Sequence, residues 1–267
     1  MARFKGPFKF EGSLGGFRSY WDSDTGEQII STTRGKNPKN YKNKASASNV
    51  LALNEEFKAD NIWSKMIREA TMDLDYLKKG RINGDLVAIA KIIQSMSGDE
   101  KMGRRKIESS KFNYPLKGFC MNHAHPFSSV CYVDPVISIS ENRSEVTLRL
   151  TNFVSFRKFK WPEKIDYYRV FLNISEIPDV VYDKSKKAYL PVYPTDNLGN
   201  KTVVSDWLRV IATPIDFEIS AASDDNAIPR EKTMVLVTLG FEFAYAMDHN
   251  TPYVVKDHGT VAIVGCF

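Results

Sequence analysis

The stretch PVISISENRSEVTLRLT at residues 135–151 decides the fold, because from Pro135 onwards apolar residues recur at every second position. Ile137 and Ile139 alternate with serines, and after a polar turn the alternation resumes at Val146. A period of two places apolar side chains on one face of an extended strand, whereas a helix repeats every three to four residues. This stretch therefore predicts a β-hairpin.

More strand-like runs follow this hairpin, with turn-forming residues between them. They are IDYYRVFLNI (165–174), DVVYD (179–183), AYLPVY (188–193), KTVVSDWLRVIA (201–212), IDFEISAAS (215–223), KTMVLVTLGFEFAYAM (232–247) and GTVAIVGCF (259–267). Short strands without intervening helices are typical of an antiparallel β-sandwich. The last run ends on Phe267, and it either pairs at an edge of its own sheet or completes the sheet of a neighbouring subunit.

Two amphipathic helices are predicted before the hairpin. The first extends from near Asn49 to Lys79, with a possible break at Asp60-Asn61, and Gly80 ends it. Its apolar positions, which step by three and four, are Trp63, Met66, Ile67, Ala70, Leu74 and Leu77. The second helix follows Asn83-Gly84-Asp85 and ends before Gly98. Because their connection is short, we expect the two helices to form an antiparallel pair.

A cluster of four potential zinc ligands lies between the helices and the hairpin. It consists of Cys120, His123, His125 and Cys131, within twelve residues. Two thiolates and two imidazoles satisfy a tetrahedral zinc site. The spacing is not that of paired zinc ligands, however, and in an extended segment Cys120 projects away from the two histidines. The alternatives are a zinc site and loop histidines beside buried cysteines, and the second is favoured.

The N-terminal region combines glycines, alternating aromatic residues and the excess positive charge of the chain. Residues 17–21, FRSYW, place Phe17 and Trp21 on one face and Tyr20 on the other, and a turn and a second β-favouring run follow, so we predict a β-hairpin. Residues 1–50 hold nine Lys or Arg against four acids, while the rest of the chain is electrically balanced. Five of these basic residues, Arg34, Lys36, Lys39, Lys42 and Lys44, occur with no acid among them and with few apolar residues. This composition predicts an extended basic arm.

Composition and motifs exclude several classes of protein. No apolar run approaches the roughly 20 residues that cross a bilayer, and the N-terminus has no secretory signal. We therefore expect a cytoplasmic protein, whose later release as part of a particle is compatible with the sequence. Three cysteines cannot all pair with one another, which predicts reduced thiols. No nucleotide-binding, metalloprotease or hydrolase motif is present, so we predict that the chain is not an enzyme.

The opening GSLGGFRSYW at residues 12–21 and the basic segment GKNPK at residues 35–39 precede two helices and a β-domain. In this arrangement the chain resembles an uncharacterised family of bacterial proteins that is known only as a domain of unknown function. The resemblance implies the same overall layout for most of the chain. It assigns no functional residues.

These observations together predict an α+β protein with three segments. Residues 1–48 form the arm and β-hairpin, residues 49–134 form the helical pair and a connector, and residues 135–267 form the antiparallel β-sandwich. The predicted function is that of a structural subunit that self-associates or docks on a larger protein assembly. Phe17, Tyr20 and Trp21 serve as interface anchors, and the five basic residues of the arm serve as a charged clamp. The alternative is a nucleic-acid-binding protein that uses the same basic residues for phosphate contacts.

Overall fold

The computed structural model of the chain describes residues 2–3, 10–22, 26–32, 48–98, 100–195, 199–223, 231–247 and 251–267. They belong to two compact units, Met1–Leu51 and Ala52–Phe267. Helices and antiparallel strands are both present, which confirms the predicted α+β class. Within the described ranges, no helix combines the length and the apolar composition that a bilayer crossing requires.

The first unit contains a four-stranded antiparallel sheet. Its strands are β1 Ala2–Arg3, β2 Gly12–Leu14, β3 Phe17–Asp22 and β4 Glu27–Thr32, in the order β1-β4-β3-β2. Gly15 and Gly16 connect β2 to β3 with φ angles of 56° and 86°. A tight turn with two positive φ angles is one that glycine adopts without strain. The predicted hairpin is present as β3 and β4, and the glycine-rich stretch before it adds β2.

The predicted helical pair lies in the second unit except for the first turn of its first helix. Helix α1 is Ser48–Ala70, a 3₁₀ helix follows at Met72–Leu77, and helix α2 is Ile82–Met96. Ser64 of α1 bonds to Asn83 at the start of α2, whereas Glu56, earlier in α1, bonds to Lys91, later in α2. Residues late in α1 thus contact residues early in α2, and residues early in α1 contact residues late in α2. The two helices are therefore antiparallel, as predicted.

The predicted break at Asp60-Asn61 is wrong, because α1 continues through these residues to Ala70. The helix ends there because the hydroxyl of Ser175 donates to the carbonyl oxygen of Ala70 at 3.0 Å. The amide of Leu74 then bonds to the carbonyl of Thr71 at 3.1 Å, and the chain tightens into the 3₁₀ helix.

The described residues of the second unit also form ten strands. They are β5 Val136–Ile139, β6 Glu145–Phe153, β7 Tyr167–Pro178, β8 Val180–Asp183, β9 Ala188–Pro191, β10 Asn200–Val204, β11 Leu208–Arg209, β12 Ile215–Ala222, β13 Thr233–Ala246 and β14 Pro252–Cys266. Short helices α3 Phe127–Val130 and α4 Ser155–Lys158 and a 3₁₀ turn at Tyr114–Leu116 complete the unit. The large sheet has the order β10-β7-β13-β14, with β11 also paired to β7, and the small sheet has the order β12-β6-β5. Strand β14 pairs with β13 of its own sheet, so the terminal run completes an edge of its own fold.

Two hydrophobic cores lie on opposite faces of the large sheet. One core packs β6 and β12 of the small sheet against the large sheet, and Leu148 and Leu239 represent its two sides. The other core packs the helices against the opposite face, through Trp63 and Leu86. The predicted helical segment 49–134 and sandwich segment 135–267 therefore pack together within one unit.

A buried ionic cluster joins both helices to the connector that follows them. The fully buried carboxylate of Glu56 accepts hydrogen bonds from Nε and Nη2 of Arg105 at 2.8 and 2.6 Å, from Lys91 at 2.6 Å and from the amide of Gly103 at 2.7 Å. Burial alone would raise the pKa of Glu56, but these hydrogen bonds lower it to about 2. One turn later, burial raises the pKa of Asp60 to about 7.

The raised pKa of Asp60 makes stability depend on pH. A carboxyl group with a raised pKa in the folded state contributes stability below pH 4, and this contribution is lost as the pH rises through about 7. In the Asp60→Asn variant we expect the free energy of unfolding to decline less between pH 5 and pH 8, by up to about 3 kcal/mol. Urea denaturation across this range measures the effect, with exposed Glu69→Gln on the same helix as control. An Asp60→Asn curve parallel to that of the wild type would contradict the assignment.

Candidate interaction surface

The N-terminal sheet carries large apolar side chains that are exposed on one of its faces. Phe17 and Trp21 are four residues apart in β3 and so share a face, and Leu14 of β2 lies directly opposite Phe17. Leu14 is 71% exposed, Phe17 is 51% exposed and Trp21 is 46% exposed. These three residues are named the N-terminal apolar face. Exposed apolar side chains that form a contiguous patch are typical of interaction surfaces.

The centre of this face is polar and hydrogen-bonded. Ser19, between Phe17 and Trp21, is buried, and Gln28, the cross-strand neighbour of Trp21, is also buried. Nε2 of Gln28 donates to Oγ of Ser19 at 2.9 Å and also to the carbonyl oxygen of Phe10. Oε1 of Gln28 is buried without a hydrogen-bond partner among the described residues, so these bonds satisfy only the amide nitrogen of Gln28. The exposed apolar side chains are therefore arranged around a buried polar centre.

Of the three predicted anchors, the structure brings two together. Phe17 and Trp21 share the apolar face, but Tyr20 lies on the opposite face, where the guanidinium of Arg18 is 6.0 Å from its ring centre. The predicted clamp residues Arg34, Lys36, Lys39, Lys42 and Lys44 lie outside the described residues.

The structure does not bring the four predicted zinc ligands together. Nε2 of His123 lies 3.1 Å from a carboxylate oxygen of Asp85. The ring of His125 instead stacks on Trp161, with 4.4 Å between the ring centres. Among the described residues no three His, Cys, Asp or Glu side chains form a group that could hold a metal ion.

The two cysteines of this cluster are part of the β-structure. Cys120 pairs with Ala262 of β14, and its Sγ accepts a hydrogen bond from the amide of Phe127 at 3.3 Å. Cys131 pairs with Phe159 and is buried. Burial raises the pKa of the Cys131 thiol well above its ordinary value, which opposes the thiolate form that binds metals. The favoured alternative places loop histidines beside buried cysteines, and in the structure Cys131 is buried whereas Cys120 is half-buried.

Sequence reasoning missed a polar cluster at the sandwich surface. The hydroxyl of Tyr245 bonds to a carboxylate oxygen of Glu163 and lies 2.7 Å from Nε2 of His258, and that nitrogen is 3.2 Å from the same carboxylate. Glu163 and His258 are 95 positions apart, so no local motif could have identified them. Hydrogen bonds from Tyr245 and His258 lower the pKa of Glu163, and burial raises the pKa of Tyr245 to about 12. Neither group is therefore suited to exchange protons near neutral pH.

Comparison with known proteins returned no family model, no curated protein and no solved structure that matches this chain. The resemblance to an uncharacterised bacterial family therefore stays a prediction.

The separation of Cys120, His123, His125 and Cys131 leads to a prediction about metal content. We expect the protein to retain less than about 0.2 zinc per chain when it is purified without added metal, because bound structural zinc would need all four ligands. Elemental analysis measures this content. Thermal unfolding with and without a chelator is the control, and the midpoint should be unchanged. About one zinc per chain, with a chelator-sensitive midpoint, would show that the four residues meet.

Proposed function

We propose that this protein is a non-enzymatic assembly subunit that self-associates through the N-terminal apolar face, with the basic residues 34–44 as a charged clamp. The observation that carries the proposal is the exposure of Leu14, Phe17 and Trp21 on one face of a small sheet. Docking of this face on a different protein is the outcome to be distinguished by experiment.

The energetics of burial support this use of the face. Full burial of one large apolar side chain contributes roughly 1.5–3 kcal/mol. Phe17 and Trp21 are about half exposed, so a partner that covers them together with Leu14 gains several such increments. Aromatic residues are also the side chains that most often dominate binding energy at interfaces. The two aromatic residues Phe17 and Trp21, together with Leu14, form a cluster that can serve as such an anchor.

The basic residues supply the second part of the proposed interface. The excess of positive charge is confined to residues 1–50, and the rest of the chain is balanced. Contacts between exposed charges are screened by salt, whereas burial of apolar surface is not. Association through both features should therefore weaken with salt without being abolished. Binding of nucleic acid through Arg34, Lys36, Lys39, Lys42 and Lys44 is the alternative, and it predicts loss of nearly all binding at high salt.

A non-enzymatic role is consistent with the chemistry of the polar groups. Both oxygens of the buried Glu56 carboxylate already accept hydrogen bonds, which come from Arg105, Lys91 and Gly103. The cluster of Glu163, Tyr245 and His258 pairs an ionised carboxylate with a phenol whose pKa is about 12. Such groups fix a structure more readily than they transfer protons.

The double variant Phe17→Ser/Trp21→Ser tests the proposal. We expect the wild type to form oligomers and the double variant to lose the contacts through this face, with an apparent dissociation constant at least about tenfold higher. Light scattering behind a sizing column at low and high salt measures the mass. Tyr20→Ser, on the opposite face of β3, is the matched control and should keep the wild-type mass.

Two outcomes would overturn this proposal. One is a wild-type chain that is monomeric at both salt concentrations. The other is a double variant whose mass equals that of the wild type. Strongly salt-dependent binding of a fluorescent DNA duplex by a monomeric chain would favour the nucleic-acid alternative instead.

A further inference from the structure

Strand β5 is a four-residue edge strand, and no segment of the described residues pairs with its outer side. The opposite edge strand of the small sheet, β12, carries Asp216 and Glu218. The outer edge of β14 in the large sheet is covered by residues 118–121, since the amides of Gly118 and Met121 donate to β14 carbonyls at 2.8 and 3.0 Å. Strand β5, with the sequence VISI, contains no charged residue and no proline. Natural proteins protect exposed edges with charges, prolines or covering segments, because an open edge recruits another strand.

The hydrogen-bonding pattern between β5 and β6 shows which backbone N–H and C=O groups of β5 have no partner in β6. The amide of Ser140 donates to the carbonyl of Glu145 at 2.9 Å, so Ser140 and Glu145 form a hydrogen-bonded pair. Such pairs alternate along an antiparallel ladder, which makes Ile139 opposite Val146 and Ile137 opposite Leu148 non-hydrogen-bonded pairs. The N–H and C=O groups of Ile137 and Ile139 therefore point away from β6. Within the part of the chain that the structure describes, no group bonds to them.

An apolar groove lies beside this edge. Its volume is about 550 Å³, and residues of both β5 and β14 line it. Its apolar lining residues include Val133 and Ile137 together with Val264 and Phe267. Val133, Ile137 and Val264 also pack against the core between the two sheets, so the groove exposes one end of that core. A strand added to β5 would direct its inward side chains into this groove.

The rim of the groove carries one exposed charge of each sign. Lys117 and Asp134 both line it. Neither forms an ion pair with any residue in the described ranges. When a second copy is related by a two-fold axis, the positive charge of each copy can face the negative charge of the other. Such a surface, with an apolar groove beside the charges, is therefore complementary to a second copy of itself.

We propose that β5 pairs antiparallel with β5 of a second copy about a two-fold axis at Ser138, which joins the two small sheets into one six-stranded sheet. In this register Ile137 of each copy exchanges hydrogen bonds with Ile139 of the other, and the open N–H and C=O groups are all satisfied. Isoleucine side chains of each copy enter the groove of the other, and each Lys117 faces the other copy's Asp134. This interface is distinct from the N-terminal apolar face and does not depend on it.

A cysteine at the proposed axis gives the sharpest test. The two copies of residue 138 form a non-hydrogen-bonded pair with Cα atoms about 4.5 Å apart, a distance that a disulfide can span. We expect Ser138→Cys in the full-length chain to form a disulfide-linked dimer as the major product under mild oxidation, and a reductant should reverse it. Thr147→Cys is the matched control, because Thr147 lies on β6 directly opposite Ser138 and so one strand further from the axis. This variant should remain monomeric on denaturing gels. The wild type controls for Cys120, Cys131 and Cys266.

Charge variants test the same interface without a covalent bond. Ser138→Lys places two like charges opposite each other and should raise the dissociation constant of the dimer by about tenfold or more. Asp134→Lys should also weaken the dimer, and the double exchange Lys117→Asp/Asp134→Lys should restore it. Sedimentation equilibrium measures these constants, with circular dichroism to verify folding.

The same measurements separate this proposal from association through the N-terminal face. The cross-link of Ser138→Cys should persist when Phe17→Ser/Trp21→Ser is also present. Equal cross-linking by Ser138→Cys and Thr147→Cys would overturn the β5 interface. A folded Ser138→Lys variant with the wild-type dissociation constant would also overturn it, even if the N-terminal variants dissociate the protein. So would a Ser138→Cys variant that stays monomeric under oxidation, for example because a strand of another protein pairs with β5.

Discussion

The two-sided burial of β7 and β13 is the constraint on which the second unit depends. Every residue of β13 from Thr233 to Ala244 is buried. Backbone groups can be buried to this extent only when hydrogen bonds on both sides of the strand satisfy them, and β7 and β14 supply these bonds. The helices and the small sheet each need an apolar surface to cover, and the two faces of this sheet provide it. The central strands are therefore a common foundation for both cores.

The same strands also determine where helix α1 ends. Asn173 and Ser175 of β7 are buried polar residues that direct their side chains at the carbonyl oxygen of Ala70. A helix leaves its last carbonyls without internal partners, and a partner from another element fixes the end. The local pattern around residues 60–79 predicts the existence of the helix and its apolar stripe. It could not predict the end at Ala70, because the responsible side chains are more than 100 positions away.

For the N-terminal sheet, β5 and the two histidines, too, the local sequence predicts the pattern of side chains, whereas their surroundings depend on distant parts of the chain. Alternation of Phe17, Ser19 and Trp21 predicts a shared face, but a buried face and an exposed face give the same pattern. Only the structure shows that Phe17 and Trp21 are exposed while Ser19 between them is buried. The hairpin of β5 and β6 is visible as a period of two, yet the open side of β5 depends on the order of strands in the sheet. The occurrence of four potential ligands within twelve residues, His123 and His125 among them, is what raises the alternative of a zinc site. Their rings are instead engaged by Asp85 and Trp161, which lie far from them in sequence.

The two proposed interfaces have different physical origins, and this difference bears on what the protein can build. Pairing of β5 about a two-fold axis uses the same groups on both copies, so it closes at a dimer and leaves no further site of that kind. Its hydrogen bonds fix one register and one orientation. The N-terminal apolar face is less directional, because burial of apolar surface depends on area rather than on angle. A chain with only the first interface stops at two copies, whereas a chain with both can link dimers into a larger assembly. In the proposed assembly, the basic residues 34–44 make the linkage between dimers sensitive to ionic strength, and the contact of Lys117 with Asp134 adds a smaller salt dependence to the dimer itself.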